Sequence, residues 1–413
     1  MKRRVVITGM GAVTPIGNNV RQMWEALLSG TNGIDFIKAF DASNLKVKIA
    51  AEVKNLEVDK YLEPRESKRL DRCVIYALIA AQEAYEQAEL GEAEIDHHRF
   101  GTFVTSGIGG INTIYQQALI AKEKGPDRIS PFFVPSSIIN LVGGNIAIKF
   151  KAKGPNHPVV TACSSGNDSI GLAFRNIRDN YVDLAFAGGA EAPVGELAVG
   201  GFGSMRALCS NNDPNAASVP FDKRRSGFVI GEGAGVLILE EYEHAKKRGA
   251  KIFGEILGYG ATCDAYHITA PDDSAEGITK AISIALKDAS VLPEVIDYIN
   301  AHGTSTPYND KLETYAFKQV FGNHAHKLNI SSTKSMMGHA LGASGAIEAI
   351  ITALAVKEDM IPPTINYQVP DEDCDLNYTP NQTVKRKVYY AINNNVGFGG
   401  QNSTIVFKKY TEE

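Results

Sequence analysis

Short hydrophobic runs that end near glycine alternate along the chain with longer segments of helical periodicity. Residues 5–9 form a β-branched run closed by glycine, and residues 100–105 repeat this design before a second glycine-rich stretch. Runs of this kind predict buried strands. Between them, apolar residues recur at helical spacing over positions 74–85, in an alanine-rich segment without interior glycine or proline. This segment predicts a packed helix.

The same alternation continues to the end of the chain. The patterns predict helices at 165–178, 275–292 and 344–357, a charged helix after residue 239, and strands at 159–161, 183–186, 235–239, 252–257, 298–300, 328–331, 388–392 and 403–408. Alternating strands and helices are typical of an α/β fold with a mainly parallel, helix-covered sheet. Because the order of elements repeats after residue 252, we expect two pseudo-equivalent halves, residues 1–251 and 252–413. No proline-rich or serine-rich linker separates them, so we expect one extensive interface.

Length and charge narrow the classes of protein. A chain of 413 residues exceeds the roughly 250–300 residues at which single cores stop growing, which also favours two domains or a duplicated unit. Lys and Arg number 42 against 47 Asp and Glu, a net charge of −5, so no overall positive field would attract nucleic acid or a membrane. The amino-terminal apolar run is too short for a signal sequence or a bilayer span, which predicts a cytoplasmic protein.

The five cysteines include one in a setting that suits a nucleophile. Their odd number and the absence of any C-x-x-C pair predict neither a disulfide framework nor a metal site of the zinc type. Cys163 stands where a predicted strand turns through small residues into a helix, and the positive end of that helix favours a thiolate. The alternative is a buried cysteine that acts as a small apolar residue. We interpret Cys73 and Cys374 in that second way.

Two histidines lie in comparable positions. His302 and His339 each follow a predicted strand and each adjoins a glycine, Gly303 or Gly338. Open α/β sheets present functional groups at such strand ends. A single loop histidine often makes only a structural hydrogen bond, but together with the cysteine these two predict one site. Lys334 would hold one imidazole or a neighbouring carboxylate in place.

Two glycine-rich stretches lead to different interpretations. Residues 397–400 would present backbone N–H groups beside Phe398, which suits an oxyanion site or a lid, although the same stretch alone could be a tight turn. Residues 231–235 precede a strand and lack both the G-x-G-x-x-G spacing and a following helix. We therefore expect no nucleotide site there.

Several blocks, in this order, together resemble the β-ketoacyl-acyl carrier protein synthases over nearly the whole chain. The blocks are residues 5–9, 130–135, 161–163, 220–223, 300–307, 332–339 and 397–400. The match looks closest to the enzymes of dissociated bacterial fatty acid synthesis. The resemblance implies a thiolase-like, duplicated fold of five α-β-α-β-α layers, and a homodimer.

The resemblance also implies a chemistry. Cys163 would accept an acyl chain from acyl carrier protein as a thioester. His302 and His339 would polarise the malonyl thioester and assist its decarboxylation. The backbone N–H groups of Cys163 and Phe398 would form the oxyanion hole, with Lys334 and Glu348 as buried support. The product would be a 3-oxoacyl carrier protein two carbons longer plus CO2, without a nucleotide or redox cofactor.

Further family positions concern binding. By resemblance, Thr304 and Thr306 would hydrogen-bond the pantetheine arm, and Ile108 and Phe133 would line an acyl pocket near the dimer interface. Phe398 would gate that pocket, and Gly399 beside it would bind substrate. Carrier proteins are acidic, and the family docks them at positions that match Arg65, Lys68, Arg69 and Arg206. For any one of these charges, a solvated helix face is an equally good interpretation.

The sequence departs from common members of the family without losing a catalytic group. Residues 164–168 differ from those found in many relatives. The same is true of Tyr308, of Ser226 and of residues 393–396. These departures bear on chain-length preference and on movement of the Phe398 loop.

Three rival classes fit less well. Thiolase-type enzymes that act on coenzyme A esters carry a second cysteine where this chain has Phe398. Type III synthases carry asparagine where His339 stands. Non-catalytic chain-length partners lose the cysteine that this chain keeps as Cys163.

Overall fold

Strands from both halves of the chain join one mixed sheet in the computed structural model, which describes residues 2–412. The strands are β1 (Val5–Val13), β2 (Asp35–Phe36), β3 (Ile49–Ala50), β4 (Phe100–Thr105), β5 (Leu184–Glu191), β6 (Gly233–Glu241), β7 (Gly254–Cys263), β8 (Tyr298–Asn300), β9 (Asn329–Ser331), β10 (Met360–Ile361), β11 (Val384–Lys385), β12 (Tyr390–Gly397) and β13 (Gln401–Lys408).

The helices include the five that the sequence patterns predicted and several that they did not. They are α1 (Val20–Leu28), α2 (Pro64–Ser67), α3 (Arg72–Gln87), α4 (Ile111–Lys124), α5 (Phe133–Ser137), α6 (Asn140–Phe150), α7 (Ser165–Arg178), α8 (Glu196–Ser204), α9 (Tyr242–Lys247), α10 (Glu276–Ala289), α11 (Pro307–Phe321), α12 (Lys334–Met337) and α13 (Ser344–Glu358). The carboxylate of Asp71 caps α3 by accepting a hydrogen bond from the N–H of Cys73. None of the helices within residues 2–412 is long and apolar enough to cross a bilayer.

The strand order repeats between the halves. Within residues 2–412, the large sheet has nine strands in the order β4-β5-β6-β1-β7-β13-β12-β8-β9. Read outward from the centre, β1-β6 and β6-β5 are antiparallel and β5-β4 is parallel. The pairs β7-β13, β13-β12 and β12-β8 repeat this sequence of orientations. The chain therefore has the duplicated α/β architecture that was predicted.

Five layers follow from the packing of helices on this sheet. α3 packs on β1, β5 and β6, α6 packs on β4, and α10 packs on β7 and β13 with α11 beside it. α7 and α13 pack on each other and on strands of both halves, so they form the central layer. Every residue of α13 from 344 to 356 is buried. A helix covered on all sides is apolar around its whole circumference, which α13 is.

Two expectations about strands were wrong. The sheet is mixed, and not mainly parallel, since five of the eight strand pairs described are antiparallel, among them β12-β13 with its tight turn. Gly399 and Gly400 adopt φ values of 90° and 75° in that turn, a region that favours glycine. Residues 159–161 form no strand. Pro155 and Pro158 precede them, and proline donates no hydrogen bond to a neighbouring strand.

Candidate active site

Cys163 lies in a one-turn 3₁₀ helix, residues 162–164, that leads directly into α7. Ala162, just before it, has a left-handed φ of 50°, and Leu341 has a φ of 44° at the matching turn before α13. Such a turn directs the next residue away from the helix axis. Cys163 is only 8% exposed and lines a cavity of about 370 Å³.

Both predicted histidines line the same cavity as Cys163. His302 follows β8, and its backbone N–H donates to the buried carboxylate of Glu313 at 2.7 Å. His339 follows α12 and Gly338, whose φ is 64°. The two imidazole rings meet edge to face with centroids 5.2 Å apart. The predicted convergence of one thiol and two imidazoles is therefore present.

A buried polar cluster lies behind His302. Lys334 Nζ donates to the backbone oxygen of His302 at 2.6 Å and is 3.5 Å from its Nδ1. Lys334 also forms an ion pair with Glu348, and both side chains are 2% exposed. Asn395 Nδ2 donates to the other Glu348 oxygen at 2.7 Å and to His302 Nδ1 at 3.2 Å. On the second histidine, His339 Nδ1 is 2.9 Å from Ser344 Oγ.

Burial keeps both imidazoles neutral. The pKa of His302 lies well below its ordinary value because of burial first, and then because of the Lys334 charge and the neighbouring ring of His339. The pKa of His339 is lowered well below its ordinary value by burial and by Lys334. A neutral imidazole has one N–H donor and one acceptor nitrogen. At neutral pH each ring can therefore offer one hydrogen to a ligand in the cavity without carrying a charge.

The pKa of the Cys163 thiol differs from the lowered value expected for a cysteine at a helix N-terminus. Burial raises the pKa of Cys163 to about 12, although the Lys334 charge and a hydrogen bond from the Phe398 N–H oppose this rise. The N-terminus of a helix favours anions, but here the cost of desolvating the thiolate outweighs that effect. The resting cysteine is consequently a thiol at neutral pH.

We expect the rate of Cys163 alkylation by iodoacetamide to rise about tenfold per pH unit between pH 7 and pH 10. The thiolate is the nucleophile, and its fraction grows tenfold per unit below the pKa. Mass spectrometry of the peptide that contains Cys163 measures this rate. A plateau at or below pH 8 would contradict the raised pKa.

The glycine-rich turn 397–400 closes one side of the cavity. Gly397 packs so closely on the cysteine turn that a Cβ there would come within 2.6 Å of the Thr161 oxygen. Phe398 lies next in the turn, and its N–H approaches the Cys163 sulfur. The Gly399 N–H donates to the Ile268 oxygen at 2.9 Å, so it is not free to bind a ligand.

The predicted binding residues are divided between the Cys163 cavity, a second cavity and the exposed surface. Thr304, Thr306 and Arg206 line the cavity that contains Cys163, with the two threonine hydroxyls 2.9 Å apart. Ile108 does not line it, but packs in the same apolar cluster as Cys163. A second cavity of about 280 Å³ is lined by others of the predicted set, Lys68, Arg69 and Phe133. Arg65 is exposed and borders neither cavity.

Sequence reasoning missed three residues that shape the site. Asn395 and Ser344 contact the histidines, as described above. Glu191 is fully buried and accepts hydrogen bonds from the backbone N–H groups of Gly107, Ile108 and Gly342, which ties the loop after β4 to the start of α13. For Asn395 and Glu191, a polar residue on an otherwise buried strand was the available signal, because a buried polar group needs a specific partner.

A duplicated α/β fold with a buried cysteine before one central helix, and two neutral imidazoles on the same cavity, defines a thiolase-like condensing enzyme. Comparison with known proteins agrees. The family model described as Beta-ketoacyl synthase, N-terminal domain, matches residues 2–245, and Beta-ketoacyl synthase, C-terminal domain, matches residues 253–368. The chain belongs to the β-ketoacyl synthase family, which confirms the resemblance inferred from its sequence blocks.

Individual relatives cover the whole chain. It is 50% identical over 410 residues to the 3-oxoacyl-[acyl-carrier-protein] synthase 2 of Synechocystis sp., with 99% of each covered. It is 48% identical to the protein of the same name from Coxiella burnetii, again with 99% coverage of both. Among solved structures, it is 36% identical, with a TM-score of 0.92 and complete coverage of both chains, to a type II PKS ketosynthase in complex with its acyl-carrier protein. A beta-ketoacyl synthase from Burkholderia phymatum is 34% identical at the same TM-score and coverage. These structures confirm the thiolase-like fold.

Proposed function

We propose that this protein is a 3-oxoacyl-acyl carrier protein synthase of the second type, an acyltransferase of bacterial type II fatty acid elongation. It joins an acyl chain held on Cys163 to the two-carbon unit of malonyl-acyl carrier protein and releases CO2. The observation that carries the proposal is the cavity shared by the Cys163 sulfur and the rings of His302 and His339. The full-length identity to proteins of that name supports it.

The first half-reaction loads the cysteine. The Cys163 sulfur attacks the thioester carbonyl of the acyl carrier, a new carbon–sulfur bond forms, and the pantetheine thiol leaves with the proton that Cys163 gives up. The developing oxyanion accepts hydrogen bonds from the backbone N–H groups of Cys163 and Phe398. The Phe398 N–H acts on the Cys163 thiol, whose pKa it lowers, and this supports the assignment.

The second half-reaction begins with decarboxylation. When CO2 leaves the malonyl thioester, the bonding electrons move to the thioester oxygen as an enolate. The Nε2 hydrogens of His302 and His339 stabilise that oxygen, and neutral rings at low dielectric do so without a counter-charge. The enolate carbon then attacks the Cys163 thioester. The returning thiolate takes up a proton, which the raised pKa of Cys163 favours.

Binding groups at the mouth of the cavity suit a carrier-bound substrate. Thr304 and Thr306 offer adjacent hydroxyls to the pantetheine arm. Arg206 is exposed at the same mouth, and Arg65, Lys68 and Arg69 are exposed on and after α2. These cations form the proposed docking surface for the acidic carrier protein.

The homodimer is part of the proposal. α4 carries Ile111, Ile114 and Leu119, yet none of its residues is buried. Phe132, Val134 and Ile138 beside it are 40–57% exposed. An apolar face of this kind marks a protein interface. In the proposed dimer, Ile108 and Phe133 line an acyl pocket near this interface. Sedimentation should give twice the 44.5 kDa mass of the chain.

Two further parts of the proposal concern the chain as a whole. The division into residues 1–251 and 252–413 is supported by the ranges of the two family models, 2–245 and 253–368. A cytoplasmic location is supported by the five cysteines, none of which is paired in a disulfide.

Product identity tests the function. We expect acyl-carrier protein plus malonyl-carrier protein to give a 3-oxoacyl-carrier protein two carbons longer, detected by intact-mass spectrometry. Coenzyme A esters in place of both carriers should react at least about tenfold more slowly, since they lack the acidic carrier protein that the docking surface binds. Equal or faster reaction with acetyl-coenzyme A alone would favour the thiolase-type rival.

A further inference from the structure

Asn395 stands between the catalytic His302 and the buried ion pair of Lys334 and Glu348. Its side chain is completely buried on β12. Nδ2 donates to Glu348 Oε2 at 2.7 Å and to His302 Nδ1 at 3.2 Å. A carboxylate paired with a lysine only accepts hydrogen bonds, so the amide must present Nδ2, and not Oδ1, to Glu348. The orientation of the amide is therefore determined by the ion pair.

That orientation determines the proton position on His302. In a neutral imidazole one nitrogen donates and the other accepts. Because Asn395 presents an N–H group to Nδ1, Nδ1 must accept and the ring proton must lie on Nε2. Lys334 Nζ is the other group near Nδ1, but it is 3.5 Å away, at the limit for a hydrogen bond, and already donates to the His302 oxygen and to Glu348.

The second histidine lacks an equivalent constraint. His339 Nδ1 contacts Ser344 Oγ at 2.9 Å, and a hydroxyl can donate or accept. Ser344 is therefore compatible with either tautomer of His339. Of the two histidines, His302 is the one whose tautomer is fixed by a side-chain amide, that of Asn395.

We propose that Asn395 is a positioning residue that holds His302 in the tautomer with its hydrogen on Nε2, and thereby supports malonyl decarboxylation. This inference rests on the proposed function. Asn395 does not line the cavity that contains Cys163, so its effect is confined to the step in which His302 donates. Loading of Cys163 should be largely independent of it.

The test compares Asn395→Ala with the isosteric Asn395→Asp. A carboxylate at this position accepts a hydrogen bond, so it draws the ring proton to Nδ1 and removes the donor from Nε2. We expect kcat for malonyl-carrier decarboxylation to fall about 10- to 100-fold in Asn395→Ala, in line with the loss of a well-placed donor, and at least as far in Asn395→Asp. KM and the rate of Cys163 acylation should stay within about threefold. If Asn395→Ala or Asn395→Asp does not fold, Asn395→Ser takes its place, because the serine hydroxyl is too short to reach His302 Nδ1.

Two measurements separate positioning from simple structural loss. Histidine ¹⁵N NMR, with the His302 signals assigned by their absence in His302→Ala, should show a protonated Nε2 in the native protein and a changed nitrogen pattern in Asn395→Asp. Asn393→Ala is the matched control. Asn393 is equally buried on the same face of β12, and its amide bonds Asn167 and Gly345 but no histidine, so decarboxylation should change less than threefold.

The outcomes are distinct. Unchanged decarboxylation in Asn395→Ala, an unchanged nitrogen pattern in Asn395→Asp, or an equal loss in Asn393→Ala would each overturn the role of Asn395. Absence of decarboxylation and of condensation in the native protein would instead overturn the proposed function. The NMR pattern would still report the tautomer of His302 in that case.

Discussion

Replacing Cys163 with alanine will abolish chain extension and leave a folded protein. Alanine removes only the sulfur from a small buried side chain, so the packing around the turn before α7 is kept. The reaction loses its covalent intermediate, and we expect kcat to fall on the order of 10⁴-fold or more. Intact-mass spectrometry after incubation with acyl-carrier protein should find an acyl adduct on the native chain and none on the variant.

The other cysteines provide the control. Cys263 is exposed at the end of β7, with its sulfur 3.5 Å from the Gly399 oxygen, so it is the most accessible competitor near the site. Cys263→Ala should load and extend at close to the native rate. An acyl group found on Cys73, Cys209, Cys263 or Cys374 in the native protein would contradict the assignment of Cys163.

His302→Ala and His339→Ala should each slow malonyl decarboxylation about 10²- to 10³-fold, the usual cost of losing one donor to a developing oxyanion. Acyl transfer to Cys163 should slow by less than about tenfold, because the backbone N–H groups that serve that step remain in place. Release of CO2 from labelled malonyl-carrier protein measures the first effect, and the mass of the acylated chain measures the second.

His324→Ala is the matched control for these variants. His324 is partly buried, and its Nε2 hydrogen-bonds the Ile296 oxygen at 2.8 Å, away from the cavity. Its loss should leave decarboxylation within about twofold. If the two site variants load Cys163 as poorly as they decarboxylate, the histidines act earlier than we propose.

Elements with a strong local pattern were predictable. The strand at residues 100–105 and the helix around residues 74–85 have sequences that fit only one periodicity, and the structure places β4 and α3 there. The duplication was also readable, because each half repeats the order of its elements. The direction of β12 and β13 was not, since only the turn between them makes the pair antiparallel.

The site was predictable in its reacting groups but not in their support. Cys163, His302 and His339 occur beside glycine and small residues, which leaves a sequence signal. A polar residue on a buried strand indicates that Asn395 has a partner but not which one, because His302 and Glu348 are distant in sequence and meet it only in the folded chain. The raised pKa of Cys163 also depends on its burial in the folded chain, which no local pattern reports.

The matching turns at Ala162 and Leu341 have different roles in the two halves. After Ala162 comes the reacting sulfur, whereas after Leu341 comes Gly342, whose N–H is bound by Glu191 from the opposite half. The second turn therefore carries no reacting group and joins the two halves by a hydrogen bond, so each polypeptide offers one nucleophile at the matching turns.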